Sequence, residues 1–194
     1  MNPVQPTSST PCSKIGRNAR HCRSFTLIEL LVVVAIMMIL AALLFPAVRS
    51  SLRRAEVIRA KHDVRQLVTG FEAFYSYYKC WPTVTNTDTV DFPMGSLLVR
   101  VLTGGTLGQF NRSFCSFDPK KLDAGTNYVD PWGNVYQVRF DFNDNGQIPN
   151  PFESSTSITV SASVLVWSAG PDKTNDTAGE SSAFNKDNLK SWAP

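Results

Sequence analysis

Histidine is nearly missing from this 194-residue chain, which has His21 and His62 and no other. Neither stands in an HExxH pattern, and the sequence holds no Gly-x-Ser-x-Gly, no phosphate-binding P-loop and no Cys-x-x-Cys. Those absences remove the usual grounds for metalloprotease, serine-hydrolase, nucleotide-dependent and thiol-redox chemistry. An acidic-pair hydrolase built on Asp130 or Asp141 has nothing behind it beyond the presence of carboxylates. Acids are missing as well from everything before Glu29, whereas Lys14, Arg17, Arg20 and Arg23 all fall there. The formal net charge of +3 is therefore uneven: without those four the chain has 15 basic residues against 16 acidic ones. Such a near-neutral remainder has no electrostatic footprint for nucleic acid as a whole. One local basic stretch, Arg49, Arg53, Arg54, Arg59, Lys61 and Arg65 against Glu56 and Asp63, reads as a solvated helix face.

What is abundant is apolar length. From Phe25 to Val48 the chain reads FTLIELLVVVAIMMILAALLFPAV, enough to cross a bilayer core as a helix at about 20 residues and ~1.5 Å rise each. An ordinary secretory signal has a shorter apolar region followed by a small-residue cleavage site, but this run continues through Pro46 into an Arg-rich segment. A plain signal anchor accounts for the basic flank and the length. It does not account for Glu29, a carboxylate that costs roughly 2.5–3.5 kcal/mol at mid-membrane and less near the interface. No Lys, Arg or His lies within the run to pair with it, so an intermolecular or newly created cation is the expected partner. Cutting the chain just before Phe25 would create one.

The segment SFTLIELLVVVAI closely resembles the cleavage and methylation signature of type IV pilins and pseudopilins. That resemblance implies that a prepilin peptidase cuts on the cytoplasmic side between Ser24 and Phe25 and methylates the new N-terminus. It also implies that Glu29, the fifth mature residue, engages the amine of a neighbouring subunit. Pro46 falls at the twenty-second mature position, where the family commonly carries a proline that loosens the helix by removing an amide donor. Ser24 departs from the family's usual Gly before the cut. Both flanks of the run are basic, so the positive-inside rule alone does not orient it. The signature does, with residues 1–24 as a cytoplasmic leader, 25–48 as the membrane half of a helix, and the rest in the periplasm of a bacterium as a single-pass inner-membrane protein. Cys12 and Cys22 fall in that leader, which leaves Cys80 and Cys115 as the one pair a mature exported domain can join; a disulfide there and two free thiols are both open.

Beyond the membrane half, Val57, Val64, Leu67, Val68, Phe71, Phe74, Tyr75 and Tyr78 recur at spacings of three, four and seven, as one face of a helix. They predict an amphipathic stem over 49–81, ending where Pro82 disfavours helix before it. Residues 82–194 form the head. Within it Met94 to Leu102 reads as a short helix ended by Gly104 and Gly105, and Phe110 to Lys120 as loop. Two strands are expected, one with Tyr136, Val138, Phe140 and Phe142 alternating with the polar Gln137, Arg139 and Asp141, the other alternating similarly through Ile158, Val160, Ala162, Val164 and Val166. A long helix on a small antiparallel sheet is an α+β arrangement, and it resembles the pilin fold.

DPWGNVYQV (Asp130–Val138), WSAGPDK (Trp167–Lys173) and the terminal DNLKSW resemble the major pseudopilin of type II secretion. In that family the C-terminal loop holds calcium with oxygen ligands, which implies Asp172 and Asp187 as ligands here, with Asp176 and Glu180 as possible assistants. Lys173 replaces a family Gly and Asn188 a family Ile. A second acidic cluster, Asp141, Asn143, Asn145 and Gly146, has half of an EF-hand spacing but Phe152 at the decisive twelfth position, and reads as a polar hairpin loop instead. The reading that unites these features is a structural subunit of a type II secretion pseudopilus. Its partners would be its own copies, other pseudopilins, prepilin peptidase, the inner-membrane secretion platform and lipid. A type IV pilus or DNA-uptake filament, and an anchored binding module that never polymerises, remain the alternatives.

Overall fold

The computed structural model describes residues 25–82, 87–105, 110–123 and 126–192. The expected cleavage position at Ser24 lies outside them. Two compact units divide the chain, one up to Pro46 and one from Ala47 onward.

A single helix, α1 (Leu27–Tyr78), contains both expected halves, with Pro46 inside it. Its early residues are long aliphatics and alanines that lose little rotamer freedom in a helix. From Leu27 to Phe45 these side chains stay exposed, as a segment made for lipid or another helix requires. The helix ends at Tyr78, slightly before the predicted boundary, because Lys79 takes up a left-handed conformation (φ +58°) while its N–H still reaches back to Tyr75 O at 2.8 Å.

From Ala60 onward one stripe of α1 is buried: Ala60, Val64, Leu67, Phe71 and Phe74 are each at most 2% exposed. This is the face set by the spacing of three and four. Burying each large member stabilises the head by about 1.5–3 kcal/mol. Their partners come from a four-stranded antiparallel sheet and a second helix, α2 (Ser96–Thr103), whose Leu98 and Leu102 enter the same core. At the end of α2, Gly104 adopts φ +78°, and a Cβ there would sit 2.8 Å from Ser113 N, so the stop signal is also a close backbone approach.

The sheet runs in the order β1 (Phe92–Pro93), β2 (Gln137–Phe140), β5 (Val164–Ser168), β6 (Leu189–Lys190). Val138 opposes Val166 and Phe140 opposes Val164, while Phe71 meets Phe140 edge-on at 5.0 Å between centroids. A separate two-stranded sheet pairs β3 (Ile148–Pro149) with β4 (Thr159–Val160).

Two strand expectations change. The segment Ile158–Val166 is not one strand: β4 and β5 belong to different sheets, divided by bends at Ser161 and Ser163. The outward face of β2 is not solvated either, since Arg139 is 7% and Asp141 3% exposed. A second cluster of Ile148, Phe152, Leu165 and Trp167 covers that side of the sheet. Arg139 survives burial because Asp91 pairs with it and Pro149 O accepts from its Nη1 at 2.9 Å.

Candidate functional site

The first candidate site is the start of α1. Thr26 and Glu29 form a reciprocal cap: Glu29 Oε2 accepts from Thr26 N and from Thr26 Oγ1, each at 2.9 Å, and Thr26 Oγ1 accepts from Glu29 N at 3.3 Å. Thr-x-x-Glu before an apolar run is a capping box, satisfying amides that have no partner within the helix. No cation within the chain was expected to pair with the carboxylate, and the partner it has here is the neutral Thr26, which the sequence reading did not name. The Glu29 charge is solvated by two neutral donors at the helix start, beside Phe25, which is 75% exposed. The signal was in the sequence as Ser/Thr-x-x-Glu.

The second lies in the loop between β5 and β6. Asp172 and Asp187 do come together, with Asp172 N donating to Asp187 Oδ2 at 3.2 Å. Asp176 and Glu180 do not join them. Asp176 caps Ala178 N and Ser182 Oγ, while Glu180 accepts from Trp192 Nε1 and Asn150 Nδ2. No three His, Cys, Asp or Glu side chains gather as a metal site among the described residues.

The oxygens that do converge are neutral. Asn185, 1% exposed, is fixed in orientation because its Nδ2 donates to Asp176 O at 2.7 Å and Gly179 O at 2.8 Å. The Asn188 amide, 8% exposed, lies among four oxygens: Asn185 Oδ1 at 3.0 Å and Asn175 Oδ1 at 3.1 Å on one side, Ala169 O at 2.7 Å and Thr174 O at 3.3 Å on the other. One amide has one donating end. Whichever pair its nitrogen faces, its oxygen meets the other pair, and turning Asn175 over still leaves Asn185 Oδ1 against it. A nearly buried acceptor facing acceptors is costly on its own, and carbonyl and amide oxygens are fitting ligands for a hard cation. The residues present therefore fit the group. Asn188, read in the sequence as a departure from the pattern, sits at the centre of the cluster.

The half EF-hand spacing is a turn closed on itself. Asp141 Oδ1 and Oδ2 accept from Asn145 N and Gly146 N at 3.3 and 2.7 Å. It joins β2 to β3, strands of different sheets, so it is not the hairpin that the Asn-Gly pair suggested.

Residues 19–45 match the prokaryotic N-terminal methylation motif. The chain is also 32% identical over 120 residues to the type II secretion system core protein G of Pseudomonas aeruginosa, an alignment that covers 61% of this chain and 73% of that protein. The chain belongs to the core protein G family, the major pseudopilins of type II secretion. Among the described residues, one helix segment is long and apolar enough for one membrane crossing.

Two further features of this pseudopilin bear on its head. Cys80 and Cys115, the pair left open as disulfide or thiols, are both free thiols in this structure. Cys115 lies beside Gly70 of α1, whereas Cys80 follows the end of that helix. Buried Asp63, 1% exposed, receives Lys121 Nζ at 2.6 and 2.7 Å and Tyr136 OH at 3.3 Å. Burial and the Asp63 charge together push the phenol of Tyr136 well above its ordinary range, so it remains a donor at all physiological pH.

Proposed function

We propose that this pseudopilin is cut before Phe25 by prepilin peptidase and polymerises through α1 into the periplasmic pseudopilus of a type II secretion system. It would work there with other pseudopilins and the inner-membrane platform. The observation that carries the reading is the exposed apolar surface of α1, broken near its start by one capped carboxylate. Lipid covers that surface before assembly and neighbouring helices cover it afterward, so transfer into a filament exchanges one apolar environment for another at little cost. The Glu29 charge then selects alignment: within the apolar filament it is best satisfied by the amine at the start of an adjacent mature chain. A buried pair of that kind specifies register more than it adds stability.

N-terminal sequencing and intact mass of the membrane-extracted protein test this, with Glu29→Ala alongside. A mature chain beginning at N-methylated Phe25, and filaments lost in the mutant, are the expected results. Retention of residues 1–24 in the cell would reduce the protein to an anchored module.

The loop after β5 carries the second part of the proposal, a calcium ion held by Ala169 O, Thr174 O, Asn175, Asn185 and Asn188, with Asp172 and Asp187 supplying negative charge nearby. Calcium would contribute no reaction chemistry, only a positive centre that draws those oxygens together. Asn185 and Asn188 orient the loop, and the neutral donor set places the affinity in the range of roughly 10⁻⁴–10⁻³ M typical of sites outside the cytosol. Full-length protein in detergent, titrated with calcium chloride, should melt at a higher temperature, and Asn188→Ala should lose the shift.

A further inference from the structure

The motif Asp130–Asn134 touches none of the four oxygens around the Asn188 amide, yet its hydrogen bonds converge on the residue beside one of them. Asp130 is 4% exposed, and both of its oxygens are fully engaged. Oδ1 accepts from Trp132 N at 2.9 Å and Asn134 N at 2.8 Å, and Oδ2 from Asn134 Nδ2 at 2.8 Å and from the hydroxyl of Ser168, which is wholly buried. That hydroxyl in turn accepts from Gly170 N at 3.0 Å, and Asn134 Nδ2 also donates to Gly170 O at 2.7 Å. Gly170 thus has its N–H and its C=O held by one network. No other residue fits there, since φ is +71° and a Cβ would lie 2.5 Å from Asp187 O.

The consequence follows from peptide planarity. Gly170 N and Ala169 O belong to one trans peptide unit, in which the N–H and C=O directions are opposed and rotation about the C–N bond is blocked. Fixing the N–H on Ser168 fixes where the Ala169 carbonyl points, and it points at the Asn188 amide, 2.7 Å away. The turn is itself anchored, because Trp132 Nε1 donates to Glu56 Oε2 on α1 at 3.3 Å.

We propose that Asp130, Ser168 and Asn134 are positioning residues for the cation of the C-terminal loop: through Gly170 they aim the Ala169 carbonyl without ligating the metal. The inference rests on the calcium reading above. Partners one layer behind a metal ligand typically change affinity by about 10–100-fold when removed. The same is expected for Ser168→Ala and for Asn134→Ala.

Calcium chloride is titrated calorimetrically into the full-length chain in detergent micelles, for the wild type, both variants and Asn188→Ala. Far-UV circular dichroism and melting in chelator are recorded for each. The expected pattern is wild-type binding, dissociation constants raised at least tenfold in Ser168→Ala and Asn134→Ala, abolition in Asn188→Ala, and unchanged dichroism in chelator. Rescue of the Ser168 variant by Ser168→Thr, which keeps the hydroxyl, separates positioning from packing. If Ser168→Ala loses its fold in chelator, Asn134→Ala, on the half-buried turn, decides alone. Wild type without calcium-dependent heat overturns the cation reading and this inference together. Wild type that binds, with both variants binding equally well, overturns the positioning role alone.

Discussion

Glu29 is tied to Thr26 by three short-range hydrogen bonds, so the residue proposed to select a neighbour is also the residue that closes its own helix. The two roles need different chemistry: capping needs an acceptor, whereas attraction to an amine needs a charge. Glu29→Gln separates them. It should insert into the membrane at the wild-type level, because the amide oxygen still accepts from Thr26, and yet fail to form filaments. Membrane fractionation and electron microscopy of sheared filaments read the two outcomes. Normal filaments from the Gln variant would leave capping as the residue's whole function.

Asp63 and Lys121 set a stability test. Removing one partner of a buried pair leaves an uncompensated charge and costs about 3–5 kcal/mol. Lys121→Ala should therefore lower the denaturant midpoint of the head severely, and Asp63→Asn added to it should recover much of the loss, with Tyr136 still able to donate. A Lys121→Ala variant as stable as wild type would show that the pair is solvated in solution.

Glu180 ties the C-terminal loop to pH. Partial burial works against its ionised form, but hydrogen bonds from Trp192 and Asn150, aided by Lys190, outweigh it and hold the carboxyl below its ordinary value of 4.5. A carboxyl depressed in the folded state contributes stability that is present above the unfolded value and lost as pH falls through the folded one. The loop should therefore loosen below about pH 4.5, and Glu180→Gln should flatten that limb by keeping an acceptor without its proton equilibrium. Melting between pH 7 and 3 measures it, and identical acid limbs would remove Glu180 from the account.

The thiols separate by accessibility. Cys115 is 7% exposed and burial raises its pKa, whereas Cys80 is only partly covered. Maleimide applied to the native mature protein should label Cys80 within minutes and Cys115 only on unfolding. Absence of label in unfolded, unreduced protein would restore the disulfide.

How far the sequence could be read follows from how local each signal is. The stem face from Val64 to Phe74, α2 and the strand through Val138 and Phe140 were legible because period and breaker residues are encoded within a few positions of one another. Arg139 was misplaced because alternation reports one buried face and is blind to a second cluster closing over the other. The break at Ser161 was invisible for a related reason: Val160 and Val164 keep the same phase while serving different sheets. In the loop, attention to carboxylates favoured Asp172 and Asp187, and the neutral amide oxygens of Asn185 and Asn188 carry no charge by which to be noticed. The cap on Glu29 was legible and was overlooked because a membrane carboxylate draws the search toward cations.

The edges of the four-stranded sheet are two residues long on each side, and one of them ends in Pro93, which has no N–H to offer. A ribbon shared between heads has little to grow from, so in the proposed filament cohesion between copies would fall to helix surfaces held by dispersion and a single charge. Filaments joined in that way would have no shared sheet to break. Mild detergent should dissolve them into subunits whose heads stay folded.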